Sequence, residues 1–559
     1  MLRPAWLPVV VPLFLVACSS AEERRDPRSP EPAAPAEPAP EPGPTSTTGL
    51  VPTACRFAVP KSAEGSAYRC ADLVVPENRA NAAARTIKVH VIIFKGKEGG
   101  VPTIELNGGP GGSSEMLAQS LSVRAGFTKD NYLRLLDIGD LILVDQRGTG
   151  RSLPRLDCGQ TEEPSACRQR HEKAGVDLTG YVTSEAADDV HDLRVALGVP
   201  KVSLHGISYG TRVALEILRR HPDDVAATVI DGVLPAQVGL LGGWSKNIEH
   251  VVSHVFAACA ADAKCNGAFP NLDASLASLK AKLDAAPFDS SYYGKYDWYA
   301  FRDDLLNRLY GEGEAGRLPH RVHDLLTATQ AKFAAEEKAD EDTWMAESAR
   351  MDGELFGGPL GAELAARVDA DTDPDASGMA HGMYLSVTCS DHGQYESLDA
   401  ALAAEAKVRP ELRDPDALRF EFSMCDAWPK RPKSPDGLSA VTSSKSVLVL
   451  GGEVDPATPL AWAELAAKTL SNGQLVPIKG GAHGVVDACG FDMKTAFLRT
   501  SAPVDTSCAA TRSLAFFYPD PGAPAFAPRA KVSSPAVSRV VPSIALERLR
   551  GGRRLHPSR

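Results

Sequence analysis

Ser208 lies in Gly206-Ile-Ser-Tyr-Gly210, a serine between two glycines where a short apolar run gives way to a helical pattern. The G-x-S-x-G pattern is that of a nucleophile elbow, in which a sharp strand-to-helix turn pushes the hydroxyl out above a sheet. A serine hydroxyl is a poor nucleophile at neutral pH, so it needs an adjacent base that is itself oriented by a third group. Gly451-Gly-Glu-Val-Asp-Pro-Ala-Thr-Pro459 follows one apolar run and Gly480-Gly-Ala-His-Gly484 follows the next. Asp455 and His483 therefore come after Ser208 in the order nucleophile, acid, base, each at the carboxyl end of a strand. Glu453 competes as the acid, but Pro456 and Thr458-Pro459 fix a turn just after Asp455 and favour it. Asp487 follows the histidine too closely for this order.

Acyl transfer also needs donors for the oxyanion that develops on the carbonyl oxygen. Asn107-Gly-Gly-Pro-Gly-Gly-Ser113 can bring bare amides close to the elbow, and the Gly109 and Tyr209 N–H groups are the candidates. A glycine-rich loop can also cradle phosphate. This one lacks the Lys-Ser/Thr of a P-loop, and the chain has no G-x-G-x-x-G dinucleotide fingerprint, so no cofactor is expected. Asp145-Gln-Arg-Gly-Thr-Gly-Arg-Ser152 reads as a structural turn whose charged residues brace neighbouring loops.

The elements that would position these residues alternate. Thr86 to Phe94 reads as a half-buried strand, and Thr103 to Leu106 and Leu141 to Val144 as further strands. Helix over 188–197, strand over 201–205, helix over 211–220 and strand over 227–231 follow. This succession predicts an α/β fold, a mostly parallel sheet with helices on both faces. From Val238 to Ala440 the chain turns Ala-rich and helical, and strands over 446–450 and 474–478 then restore the pattern. The interruption reads as a helical cap inserted between two sheet strands.

With 43% hydrophobic and 23% charged residues the chain can bury a substantial core, and its net charge of −11 argues against a general nucleic-acid binder. Arg3 followed by the apolar run Ala5–Val16 reads as an export signal, too short for a membrane span. Leu15-Val16-Ala17-Cys18 resembles a bacterial lipobox, which would make Cys18 the lipidated first residue of the mature chain; a plain secretory signal cut after Ala17 is the alternative. Ser19, where an aspartate would signal inner-membrane retention, points by the same resemblance to the outer membrane. Setting Cys18 aside leaves ten of the eleven cysteines, an even set that in an exported protein suggests disulfides. Pairing sequence neighbours would give five short loops, although spacing alone cannot fix the connectivity. No spacing resembles a zinc ribbon or a redox Cys-x-x-Cys, so no metal site is assigned.

Taken together, Asn107 to Ser113, Asp145 to Ser152, Gly206 to Thr211, Gly451 to Pro459 and Gly481 to Gly484 resemble the prolyl aminopeptidase and tripeptidyl aminopeptidase family of α/β-hydrolase serine peptidases. Val387-Thr-Cys-Ser-Asp391 and Cys425-Asp-Ala-Trp-Pro429 look like segments of the tripeptidyl branch's C-terminal subdomain, and the resemblance spans roughly residues 50 to 515. It implies Ser208 as nucleophile, Asp455 as orienting acid and His483 as general base. It also implies release of short N-terminal pieces from peptides whose free amine is held by acids of the cap. Glu347, Asp352, Glu354 and Asp391 are candidates for that role. Prolyl aminopeptidases carry Trp after the nucleophile, so Tyr209 leans toward the tripeptidyl or esterase-like branches.

The expected division is a signal peptide over 1–17, a Pro/Ala-rich disordered tether over 18–49 and a first α/β-hydrolase core segment over 50–237. A helical cap over 238–440, a second core segment over 441–518 and a disordered tail over 519–559 complete it. The expected partners are a peptide with a free N-terminus and, through Cys18, a membrane; no nucleic acid is expected. Two other functions fit the same residues: an esterase or amidase on small molecules with the same triad, and an inactive surface binding protein on a hydrolase scaffold.

Overall fold

The computed structural model describes residues 49–55, 64–122, 131–159, 162–340, 342 and 378–518. The export signal, Cys18, most of the proposed tether, Glu347, Asp352, Glu354 and the tail from 519 lie outside the described residues.

Nine strands form one sheet: β1 (Gly49–Thr53), β2 (Tyr68–Pro76), β3 (Thr86–Phe94), β4 (Thr103–Leu106), β5 (Leu141–Val144), β6 (Val202–Ile207), β7 (Val225–Asp231), β10 (Val447–Gly452) and β11 (Gly473–Ile478). Their spatial order is β1-β2-β3-β5-β4-β6-β7-β10-β11. Every neighbouring pair from β5 to β11 is parallel, while β1, β2 and β3 join antiparallel at the other edge. The central strands β4, β5 and β10 are buried at every position, as expected where helices cover both faces.

The antiparallel edge was less legible. β2 interrupts its apolar residues with Arg69 and Asp72, and the latter is buried because His90, its register partner on β3, places Nδ1 2.9 Å from its carboxylate. β1 begins at Gly49, the last residue assigned to the proposed tether.

β10 follows β7 in the sheet although more than two hundred residues separate them, so the insertion expected between them is present. Its first part has an apolar core of its own. Helices Trp244–Ala261, Leu272–Ala285, Trp298–Leu309 and Leu318–Thr327 close around Val255, Leu276, Leu279, Phe301 and Val322, joined by Leu412. The insertion also carries a short hairpin, β8 (Phe288–Ser290) and β9 (Gly294–Tyr296). Its last part behaves differently: Ala380, Met383, Val387, Cys389, Cys425 and Trp428 are buried in the cluster that packs against the sheet. The expected cap therefore contains a separate helical lobe and a segment that returns to the hydrolase core before residue 440.

All ten cysteines that remain after Cys18 pair as sequence neighbours: Cys55–Cys70, Cys158–Cys167, Cys259–Cys265, Cys389–Cys425 and Cys489–Cys508.

Candidate active site

β6 ends at Ile207 and the helix Tyr209–Arg220 begins at once, leaving Ser208 alone in the turn with φ 55° and ψ −126°. A positive φ in a residue with a side chain is a strained conformation that the surroundings must hold in place. Here the Ser208 N–H donates to the Asp231 carbonyl at 3.0 Å, and the Ser208 carbonyl accepts from the Thr211 amide at 2.9 Å and its hydroxyl at 2.6 Å. The flanking glycines are required by contact: a Cβ on Gly210 would lie 1.9 Å from the Leu106 carbonyl oxygen, and one on Gly206 2.6 Å from that of Gly210. Close packing of the elbow against the end of β4 follows directly.

The same close approach brings the glycine-rich loop to Ser208. A Cβ on Gly108 would lie 2.8 Å from the Ser208 Cβ and 3.3 Å from its Oγ, so only a glycine lets the loop reach this position. Gly109, next along, has φ 122°. Tyr209 supplies the first amide of its helix, where N–H groups have no intrahelical partner. Its buried phenol meets the Thr183 hydroxyl at 3.0 Å.

Asp455 lies three residues beyond β10 and is completely buried. Its Oδ1 accepts from the Ala457 and Thr458 amides, both at 2.8 Å, and its Oδ2 from the Thr458 hydroxyl at 2.7 Å. The turn after the strand thus holds the carboxylate by three donors. His483, in the loop after β11, places Nδ1 2.8 Å from Oδ2 and 3.0 Å from Oδ1 of Asp455, and 3.1 Å from the Thr458 hydroxyl. Nε2 is then the ring nitrogen that can take a hydroxyl proton. Burial works against the imidazolium, but the Asp455 carboxylate, by charge and hydrogen bond, and the Asp231 carboxylate outweigh it and raise the His483 pKa. The Tyr310 ring of the inserted lobe meets the imidazole edge-on, centroids 5.0 Å apart.

Asp231 and Gly232 sit between Ser208 and His483. Asp231 holds the Ser208 amide, and a Cβ on Gly232 would lie 3.2 Å from Cε1 of His483. Ser208, Asp455 and His483 are thus gathered at the carboxyl ends of β6, β10 and β11, around the end of β7.

The competing acids have other duties. Glu453 accepts from the Gly480 amide at 3.0 Å, and Asp487 caps the helix Ala488–Thr500 through the Gly490 amide at 2.8 Å. Asp391 spends its carboxylate on the amide and hydroxyl of Thr183, the residue that meets Tyr209. The Asp145–Ser152 turn braces loops as expected: Asp145 accepts from the Ser114 amide at 2.7 Å, and the buried Arg147 pairs with Asp189 at 2.6 Å. Thr458 and Asp231 were missed as site residues, though both lie in stretches whose strand ends marked the site. Glu396 and Glu421, on the returning part of the insertion, carried no sequence signal; they accept from the Leu241 amide at 3.1 Å and the Gly242 amide at 3.3 Å.

A parallel sheet with a serine elbow after one strand, an Asp–His pair after two later strands and an insertion before them defines an α/β hydrolase. Residues 106–346 match the alpha/beta hydrolase fold family, and residues 416–508 match the TAP-like protein family. A probable proline iminopeptidase of Streptomyces coelicolor is 31% identical over 149 residues, 26% of this chain and 38% of that protein. Proline iminopeptidases of Xylella fastidiosa and Arabidopsis thaliana are each 29% identical, over 25% and 26% of this chain and 34% and 30% of theirs. The match thus spans about a third of the length of these relatives. The chain has the α/β-hydrolase fold and, over part of its length, is similar in sequence to TAP-like proteins and proline iminopeptidases.

Proposed function

We propose that this chain is an exported serine aminopeptidase that releases short N-terminal peptides through an acyl-enzyme on Ser208. The observation that carries the reading is the buried Asp455–His483 pair at 2.8 Å, gathered with a serine held at positive φ around the end of β7. His483 Nε2 takes the hydroxyl proton as Ser208 Oγ bonds to the carbonyl carbon, and the Gly109 and Tyr209 amides receive the oxyanion. The imidazolium then gives its proton to the leaving amine as the C–N bond breaks. Water, deprotonated by His483, releases the acyl group by the same steps in reverse order. Asp455 keeps the imidazole in one tautomer throughout.

A peptidase that counts from the N-terminus must also recognise an ammonium. We assign this to Glu396 and Glu421, whose carboxylates bear electrostatically on Tyr384, which bears in turn on Tyr310, the ring packed against His483. Burial pushes the Glu396 carboxyl up to about 7 and that of Glu421 up to about 8, which makes an incoming ammonium a strong partner for their ionised forms.

Export is supported by five disulfides, which persist in oxidising compartments. Lipidation at Cys18 and an outer-membrane address are part of the same proposal, and mass spectrometry of the mature N-terminus tests the anchor. The activity is tested by comparing p-nitrophenyl esters with unblocked and N-blocked peptide anilides, followed by mass spectrometry of products from a mixed peptide library. Hydrolysis confined to unblocked peptides supports the aminopeptidase. Equal turnover of blocked peptides, or turnover of esters alone, replaces it with the esterase or amidase reading.

A further inference from the structure

Asp231 holds both partners of the proton transfer without touching the hydroxyl. Its main-chain carbonyl accepts from the Ser208 amide at 3.0 Å, and its side-chain Oδ2 accepts at 2.7 Å from the amide of Val485, two residues past His483. The same Oδ2 lies 2.7 Å from Nζ of Lys494, on the helix Ala488–Thr500, and both side chains are sealed from solvent. A buried ion pair of this kind is weak as a source of stability, because desolvating two charges cancels most of their attraction. Its location between the elbow and the histidine loop calls for a different account.

We propose that Asp231 is a positioning residue for hydrolysis: its backbone and carboxylate register the Ser208 turn against the His483 loop, and its negative charge, beside the imidazole, stabilises the imidazolium formed when His483 takes the serine proton. The inference rests on the reading of Ser208, His483 and Asp455 as the triad. Asp231 does not replace Asp455 in that triad, because Asp455 already occupies Nδ1 of the imidazole. Several groups face the histidine and its loop. Asp455 and Thr458 come from the segment after β10, Asp231 from β7, and Tyr310 from the inserted lobe. Glu312, itself paired with Arg512, accepts from the Ala482 amide at 3.4 Å, and Arg512 also pairs with Asp487. Of these, Asp231 is the carboxylate that bears on the imidazole without bonding to it.

The test follows the rate of fluorophosphonate labelling against pH, a readout that needs no knowledge of the natural substrate. Ser208 Oγ bonds to phosphorus, fluoride leaves, and His483 takes the proton, so the rate rises with pH as the imidazolium is lost. Asp231→Asn keeps an acceptor for the Val485 amide but removes the charge. Its rising limb is expected to move to lower pH by about one pH unit, the lower end of what a nearby charge imposes. The double variant Asp231→Asn/Lys494→Met strands no buried ammonium and is expected to move the limb in the same direction, so the inference stays testable should the single variant fold poorly. A limb that stays in place in both, whether or not the plateau falls, overturns the proposal while leaving the triad intact. Labelling that is absent in the wild type, or that survives Ser208→Ala, removes the triad reading and this inference with it.

Discussion

The Thr458 hydroxyl donates to Oδ2 of Asp455 at 2.7 Å while standing 3.1 Å from Nδ1 of His483, so one side chain touches both the carboxylate and the imidazole. The carboxylate is buried, and each donor it keeps helps fix the direction in which it faces the imidazole. Thr458→Val preserves the shape and removes the hydroxyl. A hydrogen bond to a charged group is worth about 1.5–3 kcal/mol, so kcat should fall by about tenfold to a hundredfold with KM little changed. Steady-state kinetics on any accepted substrate checks this; an unchanged kcat would mean the two amide donors orient Asp455 alone.

Asp455→Asn goes further. The amide can present N–H to Nδ1 and favour the wrong tautomer, and the expected loss in kcat is about 10⁴-fold with substrate binding retained. Ser208→Ala should abolish turnover and fluorophosphonate labelling together, with an unaltered unfolding midpoint. Labelling that persisted in that variant would remove Ser208 as the nucleophile.

The parts of this site that could be read in the sequence are those where local chain geometry and chemistry coincide. Gly206 and Gly210 are dictated by contacts under 3 Å around the elbow, and Asp455 and His483 by the loops that follow two apolar strands. Glu453, only two residues from Asp455, could be separated from it on the turn alone, and the structure gives Glu453 to the Gly480 amide. What stayed hidden depends on distant segments meeting. β2 conceals its strand character because the polar Asp72 it buries meets its partner, His90, on another strand. Glu421 sits in the helix Pro415–Met424 with nothing nearby in sequence to announce that Gly242, some 180 residues earlier, would be its partner. The inserted segment reads as largely helical, yet Ala380, Met383, Leu385, Val387 and Cys389 are buried in the core beneath the sheet, because apolar helices look alike whichever core they join.

The Cys389–Cys425 disulfide closes a loop of 36 residues and lies two positions before Asp391, which holds Thr183 beside Tyr209. Cross-linking a loop of that length stabilises by about 3–4 kcal/mol in the chain-entropy account. Replacing both cysteines by alanine should lower the stability from urea unfolding by about that amount. It should also reduce kcat, since the pair anchors the segment that carries Asp391 and thereby the residue following the nucleophile. A loss of stability with full activity would show that Tyr209 is held by its helix alone.

Glu396 and Glu421 give opposite pH trends for stability and for substrate binding. Burial is the main cause that raises both, to about 7 and about 8, with backbone amides working the other way. Because folding raises these values, the protonated carboxyls stabilise the native state. That contribution is fully present below the ordinary glutamate range and is lost as pH rises through the folded values. The urea midpoint should therefore fall as pH rises from about 5 to about 8, and Glu421→Gln, which cannot ionise, should remove its share of that fall. An ammonium, by contrast, is held by the ionised carboxylates, so KM for peptides with a free amine should fall as pH rises from about 6 to about 8. KM for N-blocked substrates or esters should not follow it. Glu421→Gln is expected to raise the free-amine KM about tenfold or more at pH 8, the cost of one charge-assisted hydrogen bond. If both substrate classes keep parallel KM profiles in the wild type and the variant, the two glutamates are structural and the amine is bound elsewhere.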